Sequence, residues 1–406
     1  MNLEWWQIVL GVIVGLIALM VLVIIHELGH AWFARRNGVE VEEFAIGFPP
    51  RAKILGKYKG TLITLNWLLP LGGFCKMKGE TDDATEKGSY GAASFWAKTK
   101  ILFGGVFMNL IAAAVIFTIL AWVGMPKILE NQFTIQSDTA TELSPVLVAT
   151  VIKGSPAEKV YKSDIPCPED LPCGVRLDPK SATSIKVDDE ILSINGEKVE
   201  RSSDVPRLTK KYAGHWAFIV IKTNGKKESV VTELNAKNEG KGYLGISTSQ
   251  SEKFRATWSA PIVGVVTTFQ FIWETIAGIG GMIGNLFGGL WGLITGGGAD
   301  AQQQISSVGE QVAGPVGILG VIFPAMVAAG LTELLFLIGL ISLTLTVMNI
   351  LPIPGLDGGR WYLTAGFKLF GKKLTKKKEE TIVGTGMLIL FGLVILITIS
   401  DIWKLF

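Results

Sequence analysis

Residues 24–38 read IIHELGHAWFARRNG, and they close a stretch that runs from Trp5 to Ile25 without a charged residue. About twenty apolar residues in succession cross a ~30 Å hydrocarbon core as a helix. On that helix His26 and His30 are four residues apart, a rotation of about 400° and a rise of ~6 Å, so both imidazoles leave from one face. Two nitrogen ligands on one face can share a zinc ion, and Glu27, next to the first, can take a proton from the water it activates. Ionisable groups inside a membrane segment are costly and usually mark function. The plainer alternative is that His26, Glu27 and His30 only satisfy one another at a helix end.

The whole chain supports a membrane setting. Its 406 residues are 49% hydrophobic and 18% charged, with a mean hydropathy of +0.42. That is too apolar for an ordinary soluble domain and too mixed for a pure transporter. Uncharged runs also cover Ile101 to Pro126, Leu334 to Leu356 and Thr381 to Ser400. The fold class expected is a polytopic α-helical membrane protein with four spans. The first run is read as a retained helix, because no basic residue precedes it and cleavage would remove or expose HELGH.

Lys and Arg are dense between Arg35 and Lys100 and again between Arg360 and Lys378, and absent before Arg35. The positive-inside rule puts both basic segments in the cytoplasm and leaves the termini and residues 127–310 outside. The net charge of +3 adds nothing to this pattern, and no nucleic-acid signature is present.

Four regions follow. An N-terminal membrane domain, 1–126, holds spans at about 5–33 and 101–126, with a β-region at 41–80 whose TLITLNWLL alternates and closes on Pro70, Gly72 and Gly73. That β-element is read as an exposed edge beside the membrane site, or alternatively as a small hairpin capping the bundle. Residues 144–249 carry short β-rich runs broken by SP, DD and NG turns, with one helical segment near KKYAG. Residues 256–299 set an apolar stripe against a small or polar face, expected to be an amphipathic or re-entrant helix on or partly in the membrane, with a two-span hairpin as the alternative. A C-terminal membrane domain, 311–406, holds the spans at about 334–356 and 381–400.

Cys167 and Cys173 frame CPEDLPC in the external region, where a disulfide persists; metal ligation is the alternative, without a second cysteine pair to support it. Cys75 is on the cytoplasmic side and reads as a packed or free thiol. His215 reads as an ordinary domain residue.

A catalytic zinc needs a third protein ligand and an open fourth position. Asp357, in MNILPIPGLDGGR, ends the 334–356 span just before the second basic cluster, at the depth of HELGH. Pro352 and Pro354 break the helix, and Gly355, Gly358 and Gly359 permit a turn that brings the carboxylate round. A simple turn aspartate is the alternative. Asn349, one to two turns earlier, can hydrogen-bond a strand-like substrate or the tetrahedral oxygen, or only pack between helices.

Two resemblances accompany these residues. GSPAEK followed by VDDEILSINGEKV, within 144–249, resembles a PDZ domain with an insertion around CPEDLPC; such domains bind extended peptides at a sheet edge. HELGH, PLGGF, the Asn109 of GGVFMNLIAAA, AGPVGI at 313–318 and NILPIPGLDGG, in that order along most of the chain, resemble the bacterial RseP-type branch of the site-2 protease family. The resemblance implies zinc at His26, His30 and Asp357, Glu27 as base, cleavage of membrane-spanning segments, and a substrate clamp at Leu71, Gly72, Gly73 and Phe74. Asn109 and Asn349 join these as substrate-binding candidates. It also implies the bacterial inner membrane, lipid contact, and substrates such as anti-sigma factors or signal-peptide remnants, with trimmed ectodomain termini met by the PDZ-like domain. Three departures bear on substrate choice: Arg360 where many members have histidine after LDGG, one PDZ-like unit rather than two, and the 167–173 insertion.

An intramembrane zinc endopeptidase is thus the expected function. A catalytically idle scaffold would not require Glu27 and Asp357, and a metal transporter would require polar residues along a route through the bilayer, whereas one cluster at one depth is present.

Overall fold

An uncharged run cannot leave its peptide groups unpaired in lipid, so helices follow from the hydropathy pattern. The structure, a computed structural model, describes residues 3–163, 182–238, 240–296 and 298–405. Cys167 and Cys173, with the loop between them, lie outside the described residues. The chain divides into two units: a larger one of residues 1–125, 131–139 and 255–406, and a smaller one of residues 126–130 and 140–254.

In the larger unit, helix α1 (Trp5–Arg36) is followed by strands β1 (Val41–Tyr58) and β2 (Thr61–Met77), and by helix α2 (Phe95–Val123). The strands meet through Lys59 and Gly60, both at positive φ, which suits the twist of a tight hairpin. Residues of β1 pair on two sides: Phe44 stands opposite both Ile63 and Cys75, and Ile46 opposite both Leu65 and Gly73. Two long strands therefore form four runs, in the order 51–58, 61–66, 41–46 and 73–77, with 41–46 parallel to 61–66 and the other neighbours antiparallel, and the run that ends at Met77 is an edge. One face of this sheet packs with α1 and α2 around Ala34, Phe44, Cys75, Tyr90, Ile101 and Leu102.

Among its described residues the smaller unit has a large antiparallel sheet, a small three-stranded one and one α-helix, α3 (Asp204–Lys211), whose last two residues open the KKYAG segment expected to be helical. The strands of the large sheet run in the order 246–249, 147–151, 190–194, 216–223, 226–233, 160–162 and 182–183. Val148, Ile191, Ile194, Leu208, Ile219 and Val230 are buried in its core.

The rest of the larger unit starts with α4 (Ala260–Thr295), one unbroken helix of 36 residues. By length and composition it is a fifth candidate span, where four were expected. The chain comes back along it as α5 (Gly298–Gln311), with Ala301 and Ile305 packed on Gly289 and Gly292. Helix α6 (Pro315–Gly317), a π-helical turn (Ile318–Ile322) and α7 (Phe323–Ala329) lead into α8 (Leu331–Ile350), α9 (Asp357–Leu369) and α10 (Lys376–Leu405). Phe323 and Pro324 meet α1 at Gly15 and Gly11, and Phe336 of α8 meets Phe117 of α2 and Phe271 of α4. The span expected to reach residue 356 stops at Ile350, and Asp357 opens a new helix rather than ending the old one. The two prolines that follow Ile350 account for the break.

Candidate active site

Helix α1 brings His26 and His30 to one face, as four-residue spacing requires. Asp357 reaches them from the far end of the chain. Its Oδ2 lies 3.0 Å from His26 Nε2 and 3.2 Å from His30 Nε2, and the two Nε2 atoms are 3.1 Å apart. All three side chains are largely buried. Among the described residues this is the one group of three potential metal ligands.

The local chain explains how Asp357 gets there. After Ile350 the segment LPIPGL cannot continue a helix, and Leu356 is extended, so Asp357 starts α9 with its carboxylate in the first turn. Gly359 packs so tightly on the carbonyl of Ile353 that a Cβ would lie 2.0 Å from its oxygen.

The triangle suits a zinc ion. Tetrahedral ligands at 2.0–2.1 Å from the metal stand about 3.3 Å from one another, close to the three separations here. Two imidazole nitrogens and one carboxylate oxygen are a set that zinc accepts, and three protein ligands leave the fourth position to the reaction.

Glu27 is next to this set without joining it; its carboxylate accepts a hydrogen bond from the backbone N–H of Cys75, on the edge run of β2. The Cys75 thiol is pushed up to about 12, first by burial and then by the nearby charges of Glu27 and Glu80. It is an inert, neutral group at physiological pH.

Other expected residues fall in different places. Gly72 and Gly73 lie in β2, with Gly72 over the Phe48 ring and Gly73 between Ala45 and Val23. Phe74 pairs with Ala45. The side chain of Leu71 lies outside the described residues. Asn349 is on α8, and its amide donates to the carbonyl of Leu345 at 3.0 Å, so it is not part of the histidine and carboxylate cluster. Asn109 is fully buried on α2, with its amide 3.3 Å from His26 Nδ1.

Four contributors were not evident in the sequence. Gly105 of α2 lies against the rings: a Cβ there would stand 2.6 Å from Nε2 of His26 and of His30. Gly29 and Gly104 bring the two helix backbones together next to it. The carbonyl of Ile101 accepts from His30 Nδ1 at 2.8 Å. The available signal was the run of glycines inside otherwise apolar helices, which lowers helix propensity without evident gain unless a backbone approaches closely.

Arg360, one turn after Asp357, is held by other groups. Its Nε is 3.1 Å from Glu379 Oε1 of α10, it donates to the carbonyl of Glu80, and its guanidinium stands 4.7 Å over the Tyr90 ring. The other oxygen of Glu379 accepts from the Asp82 backbone N–H at 2.8 Å. Burial pushes the Tyr90 hydroxyl well above its ordinary range.

Comparison with known proteins bears on the same residues. The sequence profile of peptidase family M50 matches residues 14–393. A chain of Clostridium acetobutylicum named as a zinc metalloprotease is 30% identical over 395 residues, 97% of each chain. A similarly named chain of Clostridium perfringens is 28% identical over 391 residues, 96% of this chain and 98% of the other. The zinc metalloprotease RasP of Geobacillus kaustophilus is 25% identical over 426 residues, 95% of this chain and 96% of its own. HELGH, the distant LDGG and the zinc-sized triangle all fall inside the matched region, and among the described residues five helices are long and apolar enough to cross a bilayer. The chain therefore belongs to peptidase family M50 and is a multi-pass membrane zinc metalloendopeptidase of the site-2 type.

Proposed function

We propose that His26, His30 and Asp357 hold one zinc ion and that Glu27 is the proton-transferring residue of a peptide hydrolysis carried out at membrane depth. The observation that carries this reading is the convergence of three ligand atoms from segments 331 residues apart. A zinc ion bound there supplies Lewis acidity to a substrate carbonyl and lowers the pKa of water towards neutrality. Glu27, held at the sheet edge by the Cys75 N–H, removes the proton of the attacking water and returns it to the leaving amine.

The substrates in this reading are single-span membrane proteins. A helical segment hides its peptide groups in its own hydrogen bonds and must unwind to be cut. The edge run of β2, including Leu71 to Phe74, lies in the sheet that touches Glu27 and pairs with the unwound strand, offsetting its unsatisfied groups. Asn349 meets the substrate backbone from α8. The 144–249 domain acts as a PDZ-like reader of already trimmed ectodomains, and anti-sigma factor-like proteins or signal-peptide remnants fit that order of events. In this reading the metal site lies near the cytoplasmic face of a bacterial inner membrane, with the termini and the inserted domain outside, and the distribution of basic residues supports it. The return of the chain as α5 agrees with this arrangement, because α4 begins beside Thr118 near the end of α2 and the segment after α5 meets Asp401 near the end of α10.

The test is metal content and cleavage of a single-span model substrate by the purified, detergent-solubilised protein, beside Glu27→Gln. Wild type is expected to hold about one zinc per chain, the number one such site binds, and to cut within the span, while Glu27→Gln holds zinc and does not cut. Absence of metal in wild type, or equal cleavage by Glu27→Gln, removes the assignment.

A further inference from the structure

We propose that Asn109 is a positioning residue of the metal centre: its side-chain oxygen accepts the Nδ1–H of His26 and holds that ring with Nε2 towards the metal. This deepens the reading above and rests on His26 being a metal ligand.

Both rings turn Nε2 inward, where the Nε2 atoms of His26 and His30 and Oδ2 of Asp357 meet. A neutral imidazole that offers the Nε2 lone pair carries its proton on Nδ1. Each buried ring then needs an acceptor on its outer side. His30 has the carbonyl of Ile101 at 2.8 Å. At His26 the group within reach of Nδ1 is the amide of Asn109, at 3.3 Å.

The two ends of a primary amide have the same shape, so hydrogen bonding alone decides which way it faces. With Nδ2 towards His26, one N–H is set against another, and Asn109 Oδ1 is left buried without a partner. Turning the amide by 180° removes the opposition of N–H groups and moves Nδ2 to the place that Oδ1 held. Oδ1 then accepts from His26, and the buried oxygen gains its donor.

The surrounding helices hold Asn109 for this task. Gly29 of α1 packs on Gly104 of α2 and the helices run antiparallel, so the later histidine meets Ile101 and the earlier one meets Asn109. Ser342 of α8 donates to the backbone carbonyl of Asn109 at 2.8 Å, with both residues fully buried. An acceptor on Nδ1–H fixes the tautomer and makes the ring a better ligand. Asparagine supplies that acceptor without adding a charge at membrane depth.

The experiment uses the purified full chain in detergent. Zinc affinity is measured by chelator competition for wild type, Asn109→Leu, Asn109→Asp and His26→Phe, and 15N spectra are recorded for zinc-loaded, histidine-labelled wild type, which has three histidines. Asn109→Leu is expected to weaken zinc binding about 10–100-fold. Asn109→Asp, which can only accept, is expected to restore affinity to within a few-fold of wild type. The wild-type spectrum is expected to show His26 protonated at Nδ1. Wild-type affinity in Asn109→Leu, equal loss in Asn109→Leu and Asn109→Asp, or a His26 ring without a proton on Nδ1 overturns the proposal. Wild-type affinity in His26→Phe overturns the metal assignment itself, whatever Asn109 does.

Discussion

At Gly105 a single methyl group would occupy the space in which His26 and His30 turn towards each other, 2.6 Å from both Nε2 atoms. Neither ring can retreat, because Ile101 holds one from outside and the amide of Asn109 stands against the other. Gly105→Ala is therefore expected to reduce bound zinc by at least about tenfold, the lower end of what a disturbed ligand shell costs, as read by metal analysis of the purified protein. Cys75 gives a second prediction. With its thiol raised to about 12, it stays protonated from pH 7 to 9 and is expected to resist alkylation in the folded protein, reacting only after denaturation, as mass spectrometry of the labelled chain would record. His26, Glu27 and His30 were legible in the sequence because helical spacing is a local property. Asp357 was legible because Pro352, Pro354 and the glycines around it interrupt an apolar run at a definite depth. Gly105, Ile101 and the contact of Asn109 with His26 were not, because they depend on the register of α1 against α2, which no local pattern encodes.

Between elements, Arg360 ties α9 to α10 and to the loop after β2. Glu379 is almost fully buried, with a side chain 5% exposed, and loss of its cationic partner leaves that carboxylate uncompensated. Arg360→Ala is expected to destabilise the fold by about 3 kcal/mol, the cost of breaking a buried pair from one side. Adding Glu379→Gln should recover part of it, as thermal unfolding in detergent would show. The position after LDGG is thus a structural joint in this chain, and its arginine needs no role in choosing a substrate. The sheet was legible as strands but not as a shape: TLITLNWLL alternates, yet nothing in it says that residues 44–46 pair on both sides. For α4 the apolar stripe was legible, but a helix long and apolar enough to cross a membrane was not expected there; glycines that weaken an isolated helix are tolerated where Ala301 and Ile305 pack on them.

In the whole chain, the smaller unit leaves and rejoins the larger at a clasp. Asp138 accepts from the backbone N–H groups of Thr257 at 2.8 Å and Ser259 at 3.0 Å, and from both hydroxyls. Partial desolvation raises its pKa, but these hydrogen bonds outweigh that and lower it from 3.8 to about 2. A carboxylate with a depressed folded pKa contributes fully above its unfolded value and loses the contribution as pH falls through the folded one. The clasp should therefore hold above pH ~4 and weaken towards pH ~2. Asp138→Ala is expected to flatten that part of the stability profile relative to wild type, measured by thermal unfolding across pH. Because residues 138 and 257 are already joined, replacing Ala140–Phe254 by a short Gly-Ser linker is expected to leave zinc binding within a few-fold of wild type. The clasp has a historical meaning as well. To the bundle, everything between Asp138 and Thr257 counts as one tight turn, so descent can lengthen, duplicate or exchange what lies beyond it while the metal and its helices are inherited unchanged.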